Sequence, residues 1–297
     1  MKEFIGEKLA KNKIFGWILT IIATFGLCCT TFQIVTYEWA VRPYLFELPA
    51  WILEKYPTAL PLFPAFTTNN VSGANNLAYF TVLSNIITDL YLLALGLSII
   101  GVKFAKKFGF NKYYGGATTM FIGITGIVYC TIMFPFLDKS TTSWVYEFPA
   151  LAMLDFLGYW HHMVLPVIMI VVWMLPFSNE KLDKKKFAKI SLFFPVVYSV
   201  FTVIRGFCGG LYPIDSSLVA TQTWFPYPFL SPDRIGPYVS MLIGGTPSEA
   251  VNIVFTVICY LLCAFIFAIT PKLIVKLHNK QIDKLNAKYK FCNCTID

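Results

Sequence analysis

The chain has 297 residues, of which 57% are apolar and only 13% charged, and its formal net charge is +8. Soluble domains carry roughly 25% charged residues, so this composition excludes an ordinary soluble fold and points to an integral membrane protein. The positive balance fits anionic lipid headgroups, not nucleic acid.

A helix crossing a hydrocarbon core of ~30 Å needs about 20 apolar residues. Six apolar runs approach or exceed that length, at Ile14–Val35, Leu77–Val102, Tyr114–Leu137, Leu151–Phe177, Ile190–Ile204 and Val251–Thr270, with Asp89 and Asp155 the charges inside them. The fifth run is short and holds Pro195. The first run is longer than a signal-peptide core and has no A-x-A-like site behind it, so it reads as a retained helix. The predicted fold is all-α, a single six-helix membrane bundle spanning 1–297. Its two large outer loops are residues 36–76 and 207–249, both rich in proline and aromatic residues.

Lysine placement predicts the orientation. Lysines cluster before the first run, between the second and third, between the fourth and fifth, and after the sixth. In a six-span topology all four clusters share one side, which the positive-inside bias makes cytoplasmic. Both termini are then cytoplasmic, in a multi-pass cell-membrane protein. Of the 24 basic residues, the other side keeps only Arg42, Lys55, Lys139, Arg205 and Arg234. The eight cysteines lie in spans and tail except Cys208, alone at the outer face, so no disulfide framework is expected.

Polar side chains inside such runs are costly and tend to face the bundle interior. In the second run Thr81, Ser84, Asn85, Thr88 and Asp89 fall on one helical face. Interhelical hydrogen bonding explains hydroxyls and amides there, but Asp89 needs a partner or a proton, and it could line an ion or substrate path. In the fourth run Asp155, Tyr159, His162 and Pro166 share a face, and His161 points about 100° away. Adjacent histidines on a regular helix cannot aim at one target, so no shared metal and no other cofactor is expected. Arg205, near the outer end of the fifth run, could hold an anionic headgroup. The topology places Thr81, both histidines and Arg205 in the outer half of the bundle. A hydroxyl, an imidazole, a carboxylate and a cation together suit nucleophilic acyl chemistry.

Three segments resemble a known family. "AYFTVLSN" is similar to the Phe/Leu-Thr motif of the androgen-induced-gene family, multi-span membrane threonine hydrolases of fatty-acid esters of hydroxy fatty acids. "HHMVLP" resembles that family's histidine motif, and "RGFCGGLYP" with "WFPYPFL" its later loop, more closely in bacterial six-span relatives. The order of the motifs matches over residues 77–240, although this chain inserts "IDSSLVATQT" into the later loop. The resemblance implies a catalytic threonine, which is Thr81 here, and a catalytic histidine. Spacing to the proline leaves His161 and His162 both open. On this reading Ser84 or Asn85 stabilises the oxyanion, Asp155 orients the imidazole if His162 is the base, and Arg205 holds an acidic substrate group. The partners expected are membrane lipids and a lipid or fatty-acid ester substrate. The competing expectations are a transporter or solute-binding membrane protein that uses Asp89, and a non-catalytic scaffold.

Overall fold

In a bilayer every backbone polar group must be paired within the protein, so apolar runs fold as helices. The computed structural model describes residues 5–36, 79–133, 156–175, 177–209, 230 and 235–288, and these are helical with short connections. A short α1 (Ile5–Ala10) precedes α2 (Lys13–Thr36). Then come α3 (Phe80–Ile100), the basic α4 (Lys103–Gly109) and α5 (Lys112–Val128), which continues as a π-helical turn, Tyr129–Met133. Helix α6 (Phe156–Trp173) contains a second π-helical turn, Trp160–Val164. The bundle closes with α7 (Lys184–Gly209), the short α8 (Gly236–Ile243) and α9 (Glu249–Lys288).

Five of these helices are long and apolar enough to cross a membrane: α2, α3, α6, α7 and α9. The third expected span corresponds to α5, whose regular α-helix ends at Val128 where the π-turn begins. The fifth, expected to be short, runs for 26 residues straight through Pro195. Proline removes one backbone hydrogen bond, a loss that neighbouring helices can absorb inside a bundle.

Helix α5 is the centre of the bundle. It touches α3, α6, α7 and α9, and Gly115 to Ile122 are all buried, as are Ile124, Thr125 and Gly126. On one side α2 and α3 form an antiparallel pair that meets at small residues. A Cβ on Gly96 would lie 2.5 Å from Thr20 Oγ1 and 2.7 Å from the Gly16 carbonyl oxygen. Such small-residue contacts let helices approach where apolar burial gives no driving force. On another side, Phe80 stacks on Phe194 at 5.2 Å and meets Tyr198 edge-on at 5.2 Å and Phe267 at 5.7 Å. The Tyr198 hydroxyl accepts a hydrogen bond from the Phe80 backbone N–H at 3.0 Å. This satisfies one orphan donor at the start of α3 and fixes the turn that carries Thr81.

Three lysine-rich segments meet at one end. Lys112 pairs with Glu180, and Lys181 with Asp283 at 2.7 Å. Asn279 clamps the α6–α7 connection, accepting from Leu182 N at 2.8 Å and donating to Leu182 O at 3.1 Å. The antiparallel α2–α3 register, with Gly16 beside Gly96, brings the N-terminal lysines to the same end. Lipid-facing surface is plentiful on α7 and α9, where Phe193 is 72% and Leu261 65% exposed.

Candidate functional site

The polar stripe of α3 is buried, as its spacing predicted. Ser84, Asn85, Thr88 and Asp89 are at most 1% exposed, and Thr81 is half-buried. Most of the stripe is spent on local pairing. Ser84 Oγ and Asn85 Nδ2 donate to the Thr81 carbonyl at 2.9 and 2.7 Å, and Thr88 Oγ1 donates to Ser84 O at 2.7 Å. Ser84 also reaches across to Thr125 of α5, hydroxyl to hydroxyl at 2.8 Å. Thr81 makes a further interaction of its own.

The two histidines diverge, although not on the regular helix from which that was inferred. They lie in the π-turn, and such turns are frequent at functional sites. His161 is buried and points to α2, with Nε2 3.2 Å from Thr30 Oγ1. The Thr30 hydroxyl also lies 3.2 Å from the Gly26 carbonyl, which the His161 ring approaches too. His162 instead stacks on Tyr129 in the π-turn of α5, with centroids 4.3 Å apart and planes 5° from parallel. Beside them Trp160 meets Phe25 of α2 edge-on at 4.8 Å. The π-turn is therefore held on both flanks by ring contacts. Asp155 lies outside the described residues, and Arg205 is placed only as a backbone position in α7.

Gly26 also seats Asp89. A Cβ at Gly26 would overlap the Asp89 carboxyl group. Since Gly16 lies beside Gly96 and Gly26 beside Asp89, continuing the register sets Thr30 opposite the Asn85 turn. His161 thus sits at the Asn85 level. That is one helical turn, about 6 Å, from Thr81 along α3. The histidine contact that the structure forms is to Thr30, a residue the sequence reading passed over. Its signal was the small-x-x-x-small spacing of Gly26 and Thr30, which marks close helix contact.

A small cavity lined by Tyr91, Lys112, Trp173 and His278 lies toward the lysine-rich end, and neither imidazole of the π-turn lines it. Among the described residues no group of three or more His, Cys, Asp or Glu side chains could hold a metal ion. No protein family, no curated protein and no solved structure matches the chain.

Proposed function

We propose that the chain is a six-span membrane protein with cytoplasmic termini that hydrolyses lipid or fatty-acid esters, with His161 as general base. The observation that carries this reading is the burial of His161 inside the bundle at the Asn85 level, about one helical turn along α3 from Thr81, with its Nε2 held 3.2 Å from the Thr30 hydroxyl. An alcohol becomes a useful nucleophile when an imidazole takes its proton. His161 is preferred to His162 because the Thr30 hydroxyl orients its ring, whereas His162 lies flat on the Tyr129 ring. The nucleophile is Thr81, as the resemblance implies, and Thr30 orients the imidazole from α2. Asn85, on the same level as His161, has a second amide N–H beyond its bond to Thr81 O for a developing oxyanion. Arg205 serves the acidic end of the substrate.

Purified protein assayed on fatty-acid esters and with a fluorophosphonate probe tests the assignment. Thr81→Ala and His161→Ala should each lower turnover by about 10²–10⁴-fold, the usual scale for losing a nucleophile or a general base. Thr30→Ala should cost less, and His162→Ala least. Full turnover and labelling in the Thr81 and His161 variants would sink the proposal. Loss in Thr30→Ala with none in Thr81→Ala would move the nucleophile to Thr30.

A further inference from the structure

The surroundings of Asp89 are unbalanced in hydrogen bonding. Asp89 is 0% exposed, and neither carboxylate oxygen meets a donor among the described residues. One turn away the Asn85 side-chain oxygen is also buried and unmatched. Most donor protons nearby are already engaged. Asn85 Nδ2 is bound to Thr81 O, the Thr88 hydroxyl to Ser84 O, and the Thr30 hydroxyl lies between Gly26 O and His161. Three acceptor oxygens on successive turns of one helix face are thus left over. A buried carboxylate without a compensating positive partner is strongly unfavourable, and hard oxygen ligands suit a small hard cation.

We propose that Asp89, with the Asn85 side-chain oxygen, is an exchangeable site for a monovalent cation, a proton or Na⁺, between α2 and α3. Gly26 belongs to the site, because its missing side chain is the space the carboxyl group fills. The site does not depend on ester hydrolysis and stands or falls separately. The titratable groups around it are His161 on the π-turn and the buried Cys29 on α2, which interacts electrostatically with Asp89. Cys28, next along α2, is exposed.

Dicyclohexylcarbodiimide, which adds to protonated carboxyl groups in apolar surroundings, supplies the test on the full-length purified protein. The adduct on the Asp89 peptide, read by mass spectrometry, should fall several-fold from mildly acidic to alkaline pH. If Na⁺ is the ligand, NaCl but not choline chloride should also protect several-fold at constant pH. Asp89→Asn keeps the shape and removes the charge. Its thermal midpoint should lose the pH or Na⁺ response that the wild type shows. Thr81→Ala, which stops hydrolysis on the reading above, should leave adduct formation unchanged. Labelling indifferent to both pH and Na⁺, no adduct at all, or the same midpoint response in Asp89→Asn as in the wild type would each overturn the proposal.

Discussion

Gly26 shows how much one missing side chain can organise. Its carbonyl faces the Thr30 hydroxyl and His161, and its bare Cα seats the Asp89 carboxyl group. Gly26→Ala would force Cβ into that carboxyl group. Overpacking of this kind costs about 1–3 kcal/mol, so the thermal midpoint in detergent should fall, and an unchanged midpoint would mean the contact is not tight. Tyr198→Phe is a complementary probe. It keeps the ring cluster but leaves the Phe80 N–H unsatisfied, at about 1–3 kcal/mol. A hydroxyl-free ring that leaves the midpoint untouched would show that the cap is dispensable. At this scale the sequence disclosed which residues are unusual but not what they touch. Asp89 announced itself by charge in an apolar run. Its seat at Gly26 lies 63 positions away in the chain (89 − 26), and helix register in lipid is set by packing that composition does not encode.

The elements were legible where hydropathy alone decides them. The second run became α3 because its stripe repeats at helical spacing and a basic segment from Lys103 marks its end. The fourth run misled. A π-turn is a local widening that leaves the apolar pattern intact, so nothing in "WHHMV" distinguishes it from α-helix. The facing made for Asp155, Tyr159, His162 and Pro166 assumed regular spacing across that turn. The fifth run misled by its charged bounds, since Lys189 and Arg205 limited the uncharged stretch while α7 runs past both, from Lys184 to Gly209. The connections permit a sharper test. Asn279→Ala removes both bonds to Leu182, so amide exchange in residues 178–183 should accelerate while α3 and α5 stay protected. Glu180 adds a pH dependence. The Lys112 ammonium, by hydrogen bond and then by charge, holds its carboxyl below the usual range. The stabilisation is therefore present above the ordinary glutamate value of about 4.3 and disappears as pH falls through the lowered one. With the Glu180 side chain 70% exposed, solvent screens the effect and keeps it small. A midpoint-versus-pH curve that Glu180→Gln does not flatten in the acid range would contradict it.

For the whole molecule, lysine clustering and the contacts between connections agree on a shared end. The α4–α5 turn, the α6–α7 connection and the extension of α9 are physically joined there. If that end is cytoplasmic, single cysteines placed at Asn12 and Ser178 in a background without the eight native cysteines should resist an impermeant maleimide in intact cells. They should react after the membrane is opened, and labelling of either in intact cells would reverse the orientation.

The seat at Gly26 also bears on how the chain is made. Helix α2 is synthesised before α3, so the notch is already in the bilayer when Asp89 emerges from the ribosome. A lone acidic residue at the middle of a helix costs about 2.5–3.5 kcal/mol to insert. The earlier helix can shelter it on arrival. Filling the notch would then hurt twice, once in the finished bundle and once at the insertion machinery, where α3 would enter the lipid with its acid uncovered.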